Sequence, residues 1–66
     1  MENKERFYNA FKEYNGTINE IDLGEKIGLT DNETMEIIAQ LLAEYKIEYG
    51  RNRLCNYRVL KKNNGK

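Results

Sequence analysis

The side chains best suited to chemistry in this sequence are basic groups near its C-terminal end. Residues 49–66 contain no acid, whereas residues 1–48 contain all eleven acids and only five of the eleven bases. The six C-terminal bases are Arg51, Arg53, Arg58, Lys61, Lys62 and Lys66. This separation of charge indicates a contact surface for nucleic acid or for an acidic protein. An equally open alternative is that the two halves attract each other and the tail only solubilises the chain.

The sequence offers few side chains suited to covalent catalysis or to metal binding. The chain has no histidine and one cysteine, Cys55, which excludes Ser/His/Asp and Cys/His arrangements, familiar zinc ligand sets and an internal disulfide. A chain of 66 residues buries only about 60% of its unfolded surface, too little to enclose a cofactor cleft. We therefore predict a protein that is not an enzyme, with no cofactor, no metal and no small-molecule substrate.

Cysteine and tyrosine both have structural interpretations. Cys55 alternates with Tyr57 and Val59 and is predicted to be a small buried group. Tyrosines could stack on the bases of single-stranded nucleic acid, but packing in the core with the hydroxyl at the surface is the commoner arrangement. The five tyrosines are Tyr8, Tyr14, Tyr45, Tyr49 and Tyr57.

No apolar run approaches the roughly 18 residues that cross a bilayer, and the N-terminus opens with charged residues rather than a signal sequence. We expect a cytoplasmic protein with no membrane contact. Residues 1–60 should form one domain and residues 61–66 a disordered basic tail.

Helical periodicity predicts three helices. Phe7, Ala10, Phe11 and Tyr14 form the apolar stripe of a helix over residues 4–14, which ends at Asn15-Gly16. A very short strand at Ile18 precedes a second helix, which Asn19 or a competing Thr17/Glu20 capping box would start and which Gly28 ends. Gly24 would let another helix cross closely.

The third helix, about residues 31–45, has the clearest start, a capping box formed by Thr30 and Glu33. Its predicted inward stripe is Met35, Ile38, Leu42 and Tyr45, widened by Ala39 and Leu41. Ile37 and Leu41 then lie at the stripe's edge or outside it, which makes a homodimer interface through these two residues plausible, since a small domain gains by covering them. The alternative is that the first helix and the hairpin cover them.

After Lys46 the period changes from 3.6 to 2. Ile47 and Tyr49, then Cys55, Tyr57 and Val59, alternate with polar residues and predict two strands. Gly50-Arg51-Asn52-Arg53 has the composition of the hairpin loop between them.

Helix, short strand, helix, turn, helix and hairpin is the plan of a winged helix-turn-helix domain. The segment Leu23-Gly24-Glu25-Lys26-Ile27-Gly28-Leu29-Thr30 resembles the second helix and turn of that family. The likeness covers roughly residues 5–60 and is greatest to MarR-type bacterial transcriptional regulators and to small stand-alone bacterial winged-helix proteins. One departure is that the link from Gly28 to Thr34 is a residue longer than in the regulators.

The resemblance implies an α+β fold in which the third helix enters the DNA major groove and the hairpin, or wing, contacts phosphates or the minor groove. On the third helix it implies contacts by Asn32, Thr34, Glu36 and Gln40, and on the wing by Arg51, Asn52 and Arg53. The charge of the third helix opposes this role, because it has several acids and no base before Lys46. Wing and tail, including Arg58, Lys61 and Lys62, would have to supply most of the affinity.

Two functions therefore remain open. The first is a small DNA-binding or transcription-associated module that contacts double-stranded DNA through a basic wing and tail, as a homodimer or beside a larger regulatory protein. The second is a protein-interaction or dimerisation module whose acidic third helix binds a partner, without DNA binding.

Overall fold

A computed structural model describes residues 2–60. Three helices, α1 (Asn3–Tyr14), α2 (Glu20–Lys26) and α3 (Asp31–Ala43), precede an antiparallel hairpin of β1 (Ile47–Asn52) and β2 (Cys55–Val59). The α+β class predicted from the sequence is confirmed. The predicted disordered tail, with Lys61, Lys62 and Lys66, lies outside the described residues. Within residues 2–60 no helix is long and apolar enough to cross a membrane.

The first helix forms as its periodicity predicts. Phe7 and Phe11 are buried on its inner side, with ring centroids 6.0 Å apart. Asn15 follows the helix in the left-handed conformation, at φ +49°, and its N–H donates to the Phe11 carbonyl. Asparagine tolerates this conformation, which explains why the helix ends there.

Asn19 caps the second helix, because its side chain accepts a hydrogen bond from the Ile21 N–H (2.8 Å). The competing Thr17 cap does not form, because the Thr17 hydroxyl donates to the Tyr14 carbonyl instead. The short strand predicted at Ile18 is also absent: residues 17–18 form a bend, and the sheet of the described region has two strands.

The capping box of α3 is confirmed, since Thr30 accepts from the Glu33 N–H and Glu33 accepts from the Thr30 N–H. Its predicted inward stripe is confirmed at Ile38, which is buried, and in part at Leu42, which packs against the core, but it is wrong at both ends. Met35 is 47% exposed and Tyr45, beyond the end of the helix, is 69% exposed. The residues that face inward are Thr34, Ile37, Ile38 and Leu41.

Thr34 explains the difference. Its polarity marks it as a surface residue, yet its hydroxyl donates to the Thr30 carbonyl one turn back (3.0 Å) and is satisfied inside the protein. Gly24 of α2 supplies the space, because a Cβ there would lie 1.9 Å from the Thr34 hydroxyl oxygen. The predicted close crossing at Gly24 is therefore confirmed, and it turns the Thr34 side of α3 inward.

The orientation of α3 corrects the predicted dimer interface. Ile37 is 7% exposed and Leu41 1% exposed, and both belong to the chain's own core. They are not the exposed groups from which self-association was inferred, and that reason for a dimer is removed.

The hairpin loop also differs from its prediction. Gly50, Arg51 and Asn52 belong to β1, and the turn falls at Arg53 and Leu54. Gly50 does not turn the chain. A Cβ at this position would lie 2.8 Å from the Arg58 Nε, so the absence of a side chain leaves space for Arg58. Ile47 pairs with Val59 and Tyr49 with Tyr57, and the register shifts between Tyr49 and Asn52.

A core test distinguishes the two faces of α3. Leu41→Ala should cost about 2–5 kcal/mol, a large share of the roughly 3–5 kcal/mol that a core of this size supplies, and the variant should be largely unfolded in urea titrations followed by circular dichroism. The control Met35→Ala removes a side chain of similar size from the exposed face and should change the free energy of unfolding little. Equal losses would place Met35 in the core.

Candidate nucleic-acid interface on the hairpin

The hairpin is attached to α2 through a buried carboxylate. Glu20, the first residue of α2, is 7% exposed and accepts hydrogen bonds from the Asn56 backbone N–H and side-chain amide, each 3.1 Å long. The carboxylate thus accepts the hydrogen bond from a backbone N–H of β2 that the carbonyl group of a neighbouring strand would otherwise accept. This is a physical reason why the bend at Ile18 does not need to be a strand.

The charge of Glu20 is maintained by these bonds. Burial opposes ionisation, but the backbone and side-chain hydrogen bonds from Asn56 outweigh it and lower the pKa of Glu20 from its ordinary value of 4.5. The neighbouring Cys55 is 2% exposed, and burial together with the Glu20 carboxylate raises the pKa of its thiol. Cys55 is thus buried, as predicted, and protonated at neutral pH.

The tip of the hairpin rests on the connection between α1 and α2. The Leu54 N–H donates to the Gly16 carbonyl (2.9 Å), and the Asn52 side chain donates to Asn15 (3.2 Å). Gly16 is required here, because a Cβ would lie 2.4 Å from the Asn52 carbonyl oxygen. Asn52, a predicted DNA contact, is half-buried and is engaged in holding the turn.

The structure places two of the predicted basic residues beside the turn and pairs the third with an acid. Arg51 and Arg53 are both exposed beside the turn, where the Arg51 Nε donates to the Arg53 carbonyl (3.1 Å). Within residues 2–60 neither forms an ion pair with an acid. Arg58 instead pairs with Glu48 across the hairpin at 2.8 Å, which partly neutralises it.

The exposed face of α3 is acidic, as its sequence indicates. Asp31, Glu33 and Glu36 are exposed, and a hydrogen bond with Asp31, then the charges of Asp31 and Asp22, raise the pKa of Glu25 at the end of α2. Gln40, like Asn32, is exposed. Thr34 is 0% exposed, so its predicted contact with DNA is wrong: its side chain is in the crossing with α2.

Exposed aromatic residues are the feature that the sequence interpretation missed. Tyr49 is 74% exposed, and its ring lies 5.3 Å from that of the half-buried Tyr57, with the ring planes tilted by 42°. Tyr45 is exposed as well. The prediction that tyrosines pack in the core is wrong for Tyr45 and Tyr49. Tyr45 is outside the helical stripe because α3 ends at Ala43, two residues before it, and not at residue 45 as the sequence predicted.

A second basic region lies in an open groove between α1 and the end of α3. The ammonium groups of Lys12 and Lys46 lie 4.6 and 5.5 Å from the centre of the Tyr8 ring. Glu2, Glu5 and Glu44 line the same groove, and Glu44 pairs with Lys4 at 2.6 Å. The negative charges of these acids offset the positive charges of the lysines, so this groove attracts anions less than the hairpin tip does.

Comparisons with known proteins do not indicate a function for this chain. No protein-family model matches the sequence, and neither the curated proteins nor the solved structures provide a match.

The Glu20 attachment predicts a specific pH dependence. Because the pKa of Glu20 is lower in the folded protein, its contribution is complete above pH 4.5 and is lost as the pH falls through the folded value. Glu20→Gln should lower the free energy of unfolding at pH 7 by about 1–3 kcal/mol. The free energy of unfolding of this variant should also fall less steeply than that of the parent as the pH is lowered. Urea titrations from pH 7 to pH 3 measure both effects, with Glu13→Gln on the exposed side of α1 as the control. An unchanged acid slope in Glu20→Gln would contradict this role.

Proposed function

We propose that this chain is a winged-helix DNA-binding module whose hairpin contacts phosphate groups. The order of three helices and a hairpin supports this assignment, as does the close crossing of α2 and α3 at Gly24 and Thr34. In this architecture the hairpin corresponds to the wing.

The observation that carries the proposal is the state of Arg51 and Arg53. Both guanidinium groups are on exposed residues, no acid of residues 2–60 pairs with either, and the turn that bears them is tied to Gly16 and Asn15. Holding the backbone in place lowers the entropy lost when the side chains meet a ligand. Guanidinium groups bind phosphate oxygens with two parallel hydrogen bonds, so this tip is suited to a phosphate backbone.

The third helix would play a smaller part than in the resembled regulators. Its exposed carboxylates repel a phosphate backbone, and Thr34 is not available to a base edge. Gln40 is exposed and bears no charge. Binding should therefore be weak and strongly dependent on salt, with little discrimination between sequences.

Charge reversal at the hairpin tip tests the proposal. Binding of a fluorescein-labelled 20-base-pair duplex, followed by anisotropy, should weaken steeply between 50 and 200 mM salt because phosphate contacts release counterions. Arg51→Glu with Arg53→Glu should abolish measurable binding. In the milder pair Arg51→Gln with Arg53→Gln, the slope of log affinity against log salt should fall by about 1.8, since two phosphate contacts are lost.

The matched control is Lys12→Glu with Lys26→Glu, which makes the same change in net charge on α1 and α2. Under the proposal this control lowers the affinity much less than the hairpin pair does. Equal effects of the two double variants would mean that net charge, and not the hairpin tip, governs binding.

A second candidate function rests on α3. Met35 is 47% exposed among Asp31, Asn32 and Glu36, so an apolar side chain is surrounded by negative charge and by an amide. That combination fits a basic protein with an apolar anchor.

A charge change on α3 separates the two candidates. Met35→Lys with Glu36→Lys should eliminate a partner that co-purifies from native cells and leave DNA affinity equal or higher, whereas the Arg51→Glu, Arg53→Glu pair should retain that partner. Recovery of the same partner with both double variants would exclude this face of α3 as its binding surface.

A further inference from the structure

Tyr45 occupies a position that neither burial nor backbone preference explains. It follows α3 at φ +60° and is 69% exposed. Its N–H donates to the Leu42 carbonyl and the next N–H, of Lys46, donates to the Leu41 carbonyl. This is a Schellman motif, in which the residue at this position adopts the left-handed conformation that glycine accepts without cost.

The other two helices provide an internal comparison. In α2 the same pair of hydrogen bonds, from Gly28 to Glu25 and from Leu29 to Gly24, places a glycine at the equivalent position, at φ +92°. In α1 the left-handed residue is Asn15, which also tolerates that conformation. A large aromatic residue at the end of α3 is thus unfavourable for the backbone and gains little from burial.

The opposite end of β1 shows the same feature. Arg53 lies in the turn at φ +59° and is exposed, where glycine or asparagine would be favoured. Among residues 2–60, Asn15, Tyr45 and Arg53 are the non-glycine residues with positive φ. The two strained residues that lack asparagine's tolerance therefore flank β1, and strain of this kind is concentrated at functional sites.

Two further exposed side chains lie between Tyr45 and Arg53 along the chain. Tyr49 is 74% exposed and is supported from one side by the ring of Tyr57, and Arg51 is exposed next to the turn. We call Tyr45, Tyr49, Arg51 and Arg53 the β1 strip. Nine residues of chain, from 45 to 53, extend over at most about 30 Å, so these four exposed residues lie along one short stretch of backbone.

We propose that the β1 strip binds single-stranded DNA, with Tyr45 and Tyr49 stacking on unpaired bases and Arg51 and Arg53 holding the phosphates. This rests on the proposed function, because the same two arginines supply the phosphate contacts. Aromatic rings beside positive charge are the combination that binds single strands, since every base presents a flat face to a ring and the backbone presents its charge. Binding should accordingly be tolerant of sequence.

Single strands fit this surface better than a duplex does. In a duplex the base faces are covered by neighbouring bases, so exposed tyrosines would gain no stacking there. The acids of α3, Asp31, Glu33 and Glu36, are exposed and would repel a duplex whose groove had to accept that helix. A flexible single strand can follow the hairpin and avoid α3.

The two tyrosines differ in a way that makes the experiment decisive. Tyr45→Gly removes a ring and also relieves the left-handed backbone, so its melting temperature should equal or exceed that of the parent. Tyr49→Ala removes the ring that rests on Tyr57, and Tyr49→Phe retains the ring. The control Met35→Ala removes an exposed apolar side chain from α3, away from the β1 strip.

Anisotropy with labelled dT12, and with the same strand in a dT12·dA12 duplex, measures the preference. The parent should bind dT12 at least about fivefold more tightly than the duplex, and Tyr45→Gly and Tyr49→Ala should each lose at least about fivefold of the dT12 affinity. Tyr49→Phe and Met35→Ala should match the parent. Because the chain contains no tryptophan, tyrosine fluorescence reports stacking directly, and dT12 should quench it less in Tyr49→Ala than in the parent.

The failures of the two proposals are distinguishable. Equal or tighter binding of the duplex, or full dT12 affinity in both tyrosine variants, overturns the single-strand inference while the arginine contacts stand if Arg51→Glu with Arg53→Glu still abolishes binding. Absence of binding to either DNA by the folded parent at 50 mM salt overturns both. A lower melting temperature in Tyr45→Gly would contradict the strain on which the inference depends.

Discussion

The hydrogen bonds between Glu20 and Asn56 are the interaction on which the arrangement of this small protein depends. A hairpin of two strands is marginally stable by itself in water, and here its second strand is joined to α2 by a buried carboxylate that accepts two bonds from one residue. Those bonds compensate for burying the charge. This carboxylate joins the helices to the hairpin near the start of β2, Gly16 and Asn15 hold the tip of the hairpin, and Ile47 and Cys55 pack into the core shared with the helices.

The crossing of α2 and α3 determines which surfaces remain for partners. Because Gly24 admits Thr34, α3 turns Ile37 and Leu41 into the core and leaves Met35 outside. The same rotation presents the carboxylates of Asp31, Glu33 and Glu36 to solvent. The exposed face of α3 is thus negatively charged, which opposes contact between that helix and a nucleic acid.

The hairpin combines rigidity with exposure. Its tip and its second strand are tied to the helices, yet Tyr49, Arg51 and Arg53 are exposed. Tyr45 and Arg53 adopt a backbone conformation that destabilises the fold slightly, and their side chains recover little of that loss through burial. Stability therefore does not explain their residue types, whereas the proposed binding of nucleic acid would.

The sequence by itself determined the elements whose signals are local. Side chains and backbone groups within four residues decide the capping box of Thr30 and Glu33 and the end of α1 at Asn15, so these are predictable from neighbours along the chain. The sequence offered Asn19 and Thr17 as alternative caps of α2, and the structure selected Asn19. The alternation of Cys55, Tyr57 and Val59 likewise predicted β2 and the burial of Cys55, and the separation of charge indicated the basic end.

The tertiary structure alone decided what depends on groups far apart in sequence. The inward face of α3 follows from Gly24, ten residues before Thr34; the role of Gly50 follows from Arg58 on the opposite strand; and the absence of a strand at Ile18 is accommodated by Glu20 reaching Asn56. Polarity describes the cost of burying a side chain without a partner. Glu20 meets Asn56 only when the chain is folded, whereas Thr34 has its partner Thr30 within the helix and needs the fold only for the space at Gly24.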